Sequence, residues 1–378
     1  MSGLIEVIDG GLGNAIQDAG RFGYRHQGLA VSGFLDRPLA DCANALAGNP
    51  PATACIEMRG LGPTLAVRSG PLRVALAGNV AATILRANGS SQALPAWQSA
   101  TLEDHDSLKV GAVAGGTAYL AIFGGCAVPR QLGSRSTYQR AGIGGIDGHA
   151  VQKGDRIPCT QLGKRDFRET RGEPFNHVDG PIRVMLGPQA DHFTGGAIET
   201  FLNTSFSATA EQDRMGLRLA GPALDHVSPS AADIVSDGVT PGAIQVPANG
   251  LPIILLADCQ TVGGYPKIAT VISADLPRLA HCPPGSTLRF QSVDLAAARH
   301  ALAELRQERH GGGRTKRRGV GFAAHDWVGG HGDAPGYAQI EMNGDGTVTV
   351  ITGTQDWLYT ELGTYAWVVE IWCPMREA

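Results

Sequence analysis

Asp258, Gln260, Thr261, Tyr265 and Lys267 crowd into one stretch, ADCQTVGGYPKIATVISADL (257–276), around the pair Gly263-Gly264. The Gln260 amide offers both donor and acceptor, Tyr265 a hydroxyl, and Lys267 a mobile cation. Two adjacent glycines let a backbone approach a ligand or take a positive φ. Such a set could read a small polar amide or acid and stabilise charge on it. The same residues also suit a tight turn between two strands with Tyr265 packed, and composition alone favours the turn.

Three other stretches carry polar groups among glycines. AIQDAGRFGYRHQGLAVSGFLD (15–36) holds Gln17, Asp18, Arg21, Tyr24, Arg25, Ser32 and Asp36. It is too polar and too glycine-rich for a regular element, and ordered loops of this length usually serve function. Its simpler reading is an internal ion-pair network, for instance Asp18 with Arg21, that only shapes the loop. LGSRSTYQRAGIGGIDGHAVQKGDRI (132–157) adds Ser134, Arg135, Ser136, Thr137 and Arg140. Farther on, Asp213 and Arg214 precede a strand-like run, and Asp237 and Gln245 sit beside turns. Glu57, between Ile56 and Met58, is a carboxylate in an apolar setting and is therefore either paired or catalytic.

The elements that must position these groups are mostly short. Glycine is frequent (52 residues), charge is sparse (17%) and aromatics are few (6%), which suits a β-rich chain with many turns. Short apolar runs between Gly, Pro and Asn, such as 64–67, 72–77, 82–85, 108–110 and 118–122, argue for a sandwich or barrel. Two helices stand out. Asp36 caps the first, with Leu39, Cys42, Ala43 and Leu46 on one face and Gly48 closing it; Asp294 caps the second, with Leu295, Ala298, Leu302 and Leu305 on its apolar side. A charged stretch over 159–179 reads as a linker. The expected domains are therefore 1–165, 175–306 and a tail, 311–378, beyond the run Gly311-Gly312-Gly313. Four of the five tryptophans lie in that tail, so its composition marks a junction.

Several classes are disfavoured. The formal net charge is −4 with no basic face in the first 300 residues, which argues against nucleic acid. The start MSGLIEVIDGG shows no secretory signal, and no apolar run is long enough for a membrane span. Seven scattered cysteines without a Cys-x-x-Cys pair read as reduced thiols of a cytoplasmic protein. No Cys/His cluster has ligand spacing, so no metal is expected. The glycines at 142, 144, 145 and 148 do not form a dinucleotide fingerprint, and no phosphate loop exists, so any ATP used falls to a partner protein.

Five blocks in order, QDAGRFGYRHQGLAVSGFLD (17–36), LGSRSTYQRAGIGGIDG (132–148), DRMGLRLAG (213–221), SDGVTPGAIQVPANGLPI (236–253) and QTVGGYPKIATVISADL (260–276), resemble the biotin-dependent carboxyltransferase family. This family is also called allophanate hydrolase subunit 2, or the kinase-inhibitor antagonists. The resemblance runs from about residue 4 to residue 306. It implies a mainly β chain with a few short helices, built as two cyclophilin-like β-barrel lobes plus the appended tail. Val262 and His149 are small departures, standing where Thr and Arg are common in the family.

Known members imply three functions. The first is the C-type component of an ATP-dependent 5-oxoprolinase, which cleaves 5-oxoproline to glutamate beside A-like and B-like partners. The second is carboxyl transfer from carboxybiotin to urea or a similar amide; the chain has no biotinylation motif of its own. The third is a regulatory antagonist of a kinase inhibitor. For the first reading, Gln260 and Tyr265 orient the lactam, Lys267 or an arginine stabilises the oxyanion, and Asp237 or Asp258 handles protons. Gln17, Asp18, Arg21, Ser32, Arg135, Arg214, Gln245 and Thr261 complete the expected substrate-binding set. Residues 319–356 resemble a short piece of the molybdopterin-binding subunit of the xanthine dehydrogenase family. The piece is too small to enclose a pterin, so no molybdopterin is expected. A hairpin is expected there, with 339–342 against 347–351 and a turn at 343–346.

Overall fold

A computed structural model describes residues 2–160 and 177–309, together with four strands between 321 and 369. Residues 1–311 form one compact unit and 312–378 a second. The chain is mainly β, with α-helices at Arg37–Ala47 (α1), Gly195–Asn203 (α2) and Leu295–Arg309 (α3).

Strands up to Thr160 build a six-stranded and a five-stranded sheet. The five-stranded sheet shows how sequence sets its two faces. In Leu72–Ala77 every position is buried, because side chains alternate between two apolar layers. Leu72, Val74 and Leu76 join the core between the sheets. Ala75 and Ala77 point the other way, toward Leu39, Ala43 and Leu46 of α1. Small residues on that face leave room for a helix. Arg73 lies buried on the same strand, and its guanidinium donates to the Leu46 carbonyl at the end of α1 (3.1 Å) and to Ser99 Oγ (2.9 Å). At the start of α1, Asp36 is the N-cap expected from the sequence, accepting from the Leu39 N–H at 2.9 Å.

Strands from Ile182 to Ser292 form an eight-stranded sheet, ordered Thr287–Leu288, Phe206–Gln212, Gly216–Ala220, Ile253–Leu255, Ala243–Gln245, Lys267–Val271, Ile182–Leu186 and Phe290–Ser292. α2 supplies Phe201, which stacks on Phe290 with centroids 4.5 Å apart. Two short strands close together in sequence, Thr287–Leu288 and Phe290–Ser292, lie on opposite edges of this sheet. Stretch 15–36 is mostly loop, opening with the short strand Ala15–Gln17 and holding one 3-10 turn at Arg25–Gln27.

In the second unit, Ala338–Met342 pairs antiparallel with Val348–Thr352, the two arms of the expected hairpin. Its turn at 343–346 and most of the 159–179 stretch lie outside the described residues. Among the described residues no helix is long and apolar enough to cross a membrane.

Candidate functional site

Register brings the first group together. Antiparallel pairing sets Tyr119 opposite Glu57, on the face that looks toward α1. Glu57 is 2% exposed, and its Oε2 accepts from the Tyr119 hydroxyl (2.7 Å) and the Leu35 N–H (2.9 Å). Burial, together with the Glu57 and Asp36 carboxylates, pushes the Tyr119 phenol up, so it stays a donor. Glu57 Oε1 accepts from Arg214, which arrives from the turn ahead of strand Gly216–Ala220.

The Arg214 guanidinium also forks onto Asp258, with Nε to Oδ2 at 2.9 Å and the second bond to Oδ1 at 3.2 Å, and donates to the Gly33 carbonyl at 2.6 Å. Burial works against its charge, but Glu57 and Asp258 outweigh that and hold the guanidinium above its ordinary pKa. Of the two options for Glu57, the structure shows pairing. Arg214 ties together the loop at Gly33, the five-stranded sheet at Glu57 and the turn at Asp258.

The second group lies along strand Lys267–Val271. Lys267 pairs in register with Gln245 on the neighbouring strand. Its Nζ donates to Asp237 Oδ2 at 2.8 Å, with the lysine side chain 6% exposed and the aspartate 45%. The hydrogen bond from Lys267 holds the Asp237 carboxyl below the usual range, so Asp237 is a standing counter-charge and a weak base. Gln260 Nε2 donates to Gln245 Oε1 at 3.2 Å, and Gln245 Nε2 to the Tyr265 carbonyl at 3.3 Å.

The double glycine has a packing reason here. A Cβ on Gly263 would stand 2.6 Å from Gln245 Nε2, so the backbone approaches an amide of the chain itself. Neither Gly263 nor Gly264 takes a positive φ. Tyr265 is 42% exposed, which corrects the packed placement of its ring. Thr261 is half-buried, and its carbonyl accepts the Val239 N–H.

Arg25 links the groups, donating to the Val239 and Gln260 carbonyls. The Ser32 N–H bonds the Ala257 carbonyl at 3.0 Å, which lays the 15–36 loop beside Asp258. Burial lowers the pKa of Arg21 against the pull of Asp18 and Asp258. Among the described residues, one nitrogen each of Arg21 and Arg25, the Ser32 hydroxyl and the Gln17 amide oxygen are buried without a hydrogen-bond partner. Three of them are donors on the loop that borders Asp258 and Gln260. Buried polar groups left open in this way suit a ligand that completes them.

Two of the expected residues do other work. Asp18 accepts from Gly20, Arg135 and the Ser134 and Ser136 hydroxyls at 2.6–2.9 Å, filling its carboxylate. Arg135 donates its Nε–H to the Val128 carbonyl at 2.7 Å. The loop-shaping network is therefore Asp18 with the 134–136 segment, while Arg21 donates to the Gln131 and Ser136 carbonyls. Sequence reasoning left out Tyr119 and Gln189, and named Arg25 on its loop without adding it to the site; Gln189 Oε1 accepts the Lys267 N–H at 3.3 Å. Register alone could have offered Tyr119. A groove of about 440 Å³ near Leu224, Asp225 and His226 is lined by none of these groups.

The carboxyltransferase domain model, subdomains A and B, matches residues 27–292. The chain belongs to this carboxyltransferase-domain family. The matched range holds the Glu57–Arg214–Asp258 group and the Lys267–Asp237 group, while Gln17, Arg21 and Arg25 precede it. The chain is 34% identical over 299 residues to the C subunit of 5-oxoprolinase from Escherichia coli (strain K12), covering 78% of this chain and 93% of that protein. It is 32% identical to the corresponding 5-oxoprolinase C subunit from Haemophilus influenzae, over 81% of this chain and 95% of that one. The structure of the K. lactis urea amidolyase superposes with a TM-score of 0.73 at 27% identity, over 81% of this chain and 20% of that one.

Proposed function

We propose that this chain is the C-type component of an ATP-dependent 5-oxoprolinase, cleaving 5-oxoproline to glutamate with A-like and B-like partners. The observation that carries the reading is the match along nearly the whole length of two proteins of that kind, at 32–34% identity. The geometry supplies roles. Lys267 is a nearly dry ammonium whose counter-ion, Asp237, is partly solvated. A lactam oxygen gaining charge beside it would draw a positioned cation, and such stabilisation is worth about two to three orders of magnitude in rate. Gln245 and Gln260 present an amide pair to a substrate that is itself an amide. The open donors of Arg21, Arg25 and Ser32 suit a carboxylate. Arg214 holds Asp258 and Glu57 in place and is the positioning residue between them. ATP is handled by a partner protein.

Carboxyl transfer to an amide is the second reading, favoured by the urea amidolyase superposition and served by the same residues. The test is 5-oxoproline-dependent ATP hydrolysis by this chain mixed with candidate A-like and B-like partners, and again with each omitted. Activity that needs all three supports the proposal. A stable complex without 5-oxoproline-dependent ATP hydrolysis sinks it.

A further inference from the structure

The sequence offers no local metal motif, yet the fold assembles a set of metal-type donors. Asp36, His177 and His281 come from three distant segments, and their ligand atoms lie within 4.8 Å of one another. Both Nε2 atoms face the same carboxylate oxygen, at 2.5 Å from His177 and 2.7 Å from His281. The imidazole rings sit 5.3 Å apart, tilted by 41°.

Asp36 is held as a metal-ligating carboxylate usually is. It is 0% exposed, and its other oxygen is occupied by the Leu39 N–H. Its backbone N–H donates to the Tyr119 hydroxyl at 2.9 Å. Those contacts aim Oδ2 at the two imidazoles, as outer contacts orient metal ligands. The histidine side chains are 15% and 26% exposed, so the cluster opens to solvent on their side.

We propose that Asp36, His177 and His281 bind a divalent transition-metal ion of the zinc class. Two imidazoles and one carboxylate suit Zn²⁺, Co²⁺ or Ni²⁺, whereas Mg²⁺ and Ca²⁺ call for all-oxygen shells. Tetrahedral metal–ligand bonds near 2.0–2.1 Å require donor atoms roughly 3.3 Å apart. The imidazoles therefore draw back by about 0.6–0.8 Å from their 2.7 and 2.5 Å positions, which their partial exposure permits, while Asp36 stays fixed. Three protein ligands leave a position for water or a ligand on the exposed side. The site fastens residues 177 and 281 to the N-cap of α1 and adjoins the Arg214 group through the Tyr119 hydroxyl, which also donates to Glu57.

The competing account is a clasp in which both imidazoles merely donate hydrogen bonds to a buried carboxylate. His177→Gln and His281→Gln separate the two, because glutamine keeps an N–H donor for Asp36 and lacks the imidazole nitrogen. The full chain, stripped with chelator and dialysed, is titrated with ZnCl₂ by calorimetry, and with CoCl₂ while its visible absorption is recorded. The expected result is one saturable equivalent that raises Tm, weakened at least tenfold in each glutamine variant. Binding is unchanged in His300→Ala, whose side chain is 76% exposed on α3. No saturable Zn²⁺ binding, unchanged affinity in both glutamine variants, or displacement by an equal concentration of MgCl₂ overturns the proposal.

Discussion

Arg214→Met removes a cation that bonds two buried carboxylates, Glu57 and Asp258. Glu57 and Asp258 have side chains 2% and 9% exposed, and Arg214 makes four hydrogen bonds at this junction, one of them to the Gly33 carbonyl. Breaking a buried pair from one side costs about 3–5 kcal/mol, because the charges left behind are uncompensated. With a urea m-value near 3 kcal/mol/M, the unfolding midpoint falls by roughly 1–2 M. Arg214→Lys recovers only part of this, since an ammonium cannot fork onto Asp258 and reach Glu57 as well. The assay is urea unfolding followed by far-UV circular dichroism on the parent, Arg214→Met, Glu57→Gln and the double variant. If the pair is coupled as described, Glu57→Gln costs about 1–3 kcal/mol less in the Met background than in the parent. A midpoint shift below about 0.3 M for Arg214→Met, or strict additivity, would show that Arg214 and Glu57 are not coupled.

Gly144→Ala should disrupt the 132–157 loop, because its Cβ would lie 1.9 Å from the Ser136 carbonyl oxygen at φ +73°; a Tm drop of several degrees in a thermal melt checks it, and an unchanged Tm contradicts it. For Asp106, burial raises the carboxyl pKa, but the Glu103 N–H, Arg86 and the Ala87 N–H prevail and lower it. Its stabilisation is therefore present above the unfolded carboxyl pKa of about 4 and is lost as pH falls through the folded value. Asp106→Asn should cost about 1–3 kcal/mol at pH 7, with the gap to the parent closing below about pH 4 in urea titrations. Burial pushes the thiols of Cys126 to about 12 and Cys259 to about 11. Iodoacetamide at pH 8 should then spare both in the native chain and label them in urea, read by peptide mass mapping.

Much of the scaffold was legible because the local rules agree with the fold. The Asp36 cap, the Leu39–Leu46 face and Gly48 define α1 from sequence, and the structure places the helix there. The run over 72–77 announces a strand, though only the structure shows that its alanines make room for α1. The site was legible in composition and not in connection. Lys267, Asp237, Gln245 and Gln260 stood out by type, and register joins them. Arg214 reaches Glu57 across 157 residues, a pairing that no spacing rule encodes. Asp18 stayed open to both readings, because a carboxylate beside glycines reads alike whether it meets a ligand or four donors of its own chain.

This chain, as we propose, completes a 5-oxoprolinase. The most direct test supplies ¹³C-labelled 5-oxoproline and ATP to the reconstituted three-protein complex and follows the carbon by NMR, with urea and a carboxybiotin carrier in a parallel tube. Labelled glutamate is expected, formed only when this chain is present and reduced at least about a hundredfold by Lys267→Met. Glutamate formed at the same rate without this chain, or turnover confined to the urea tube, contradicts the proposal.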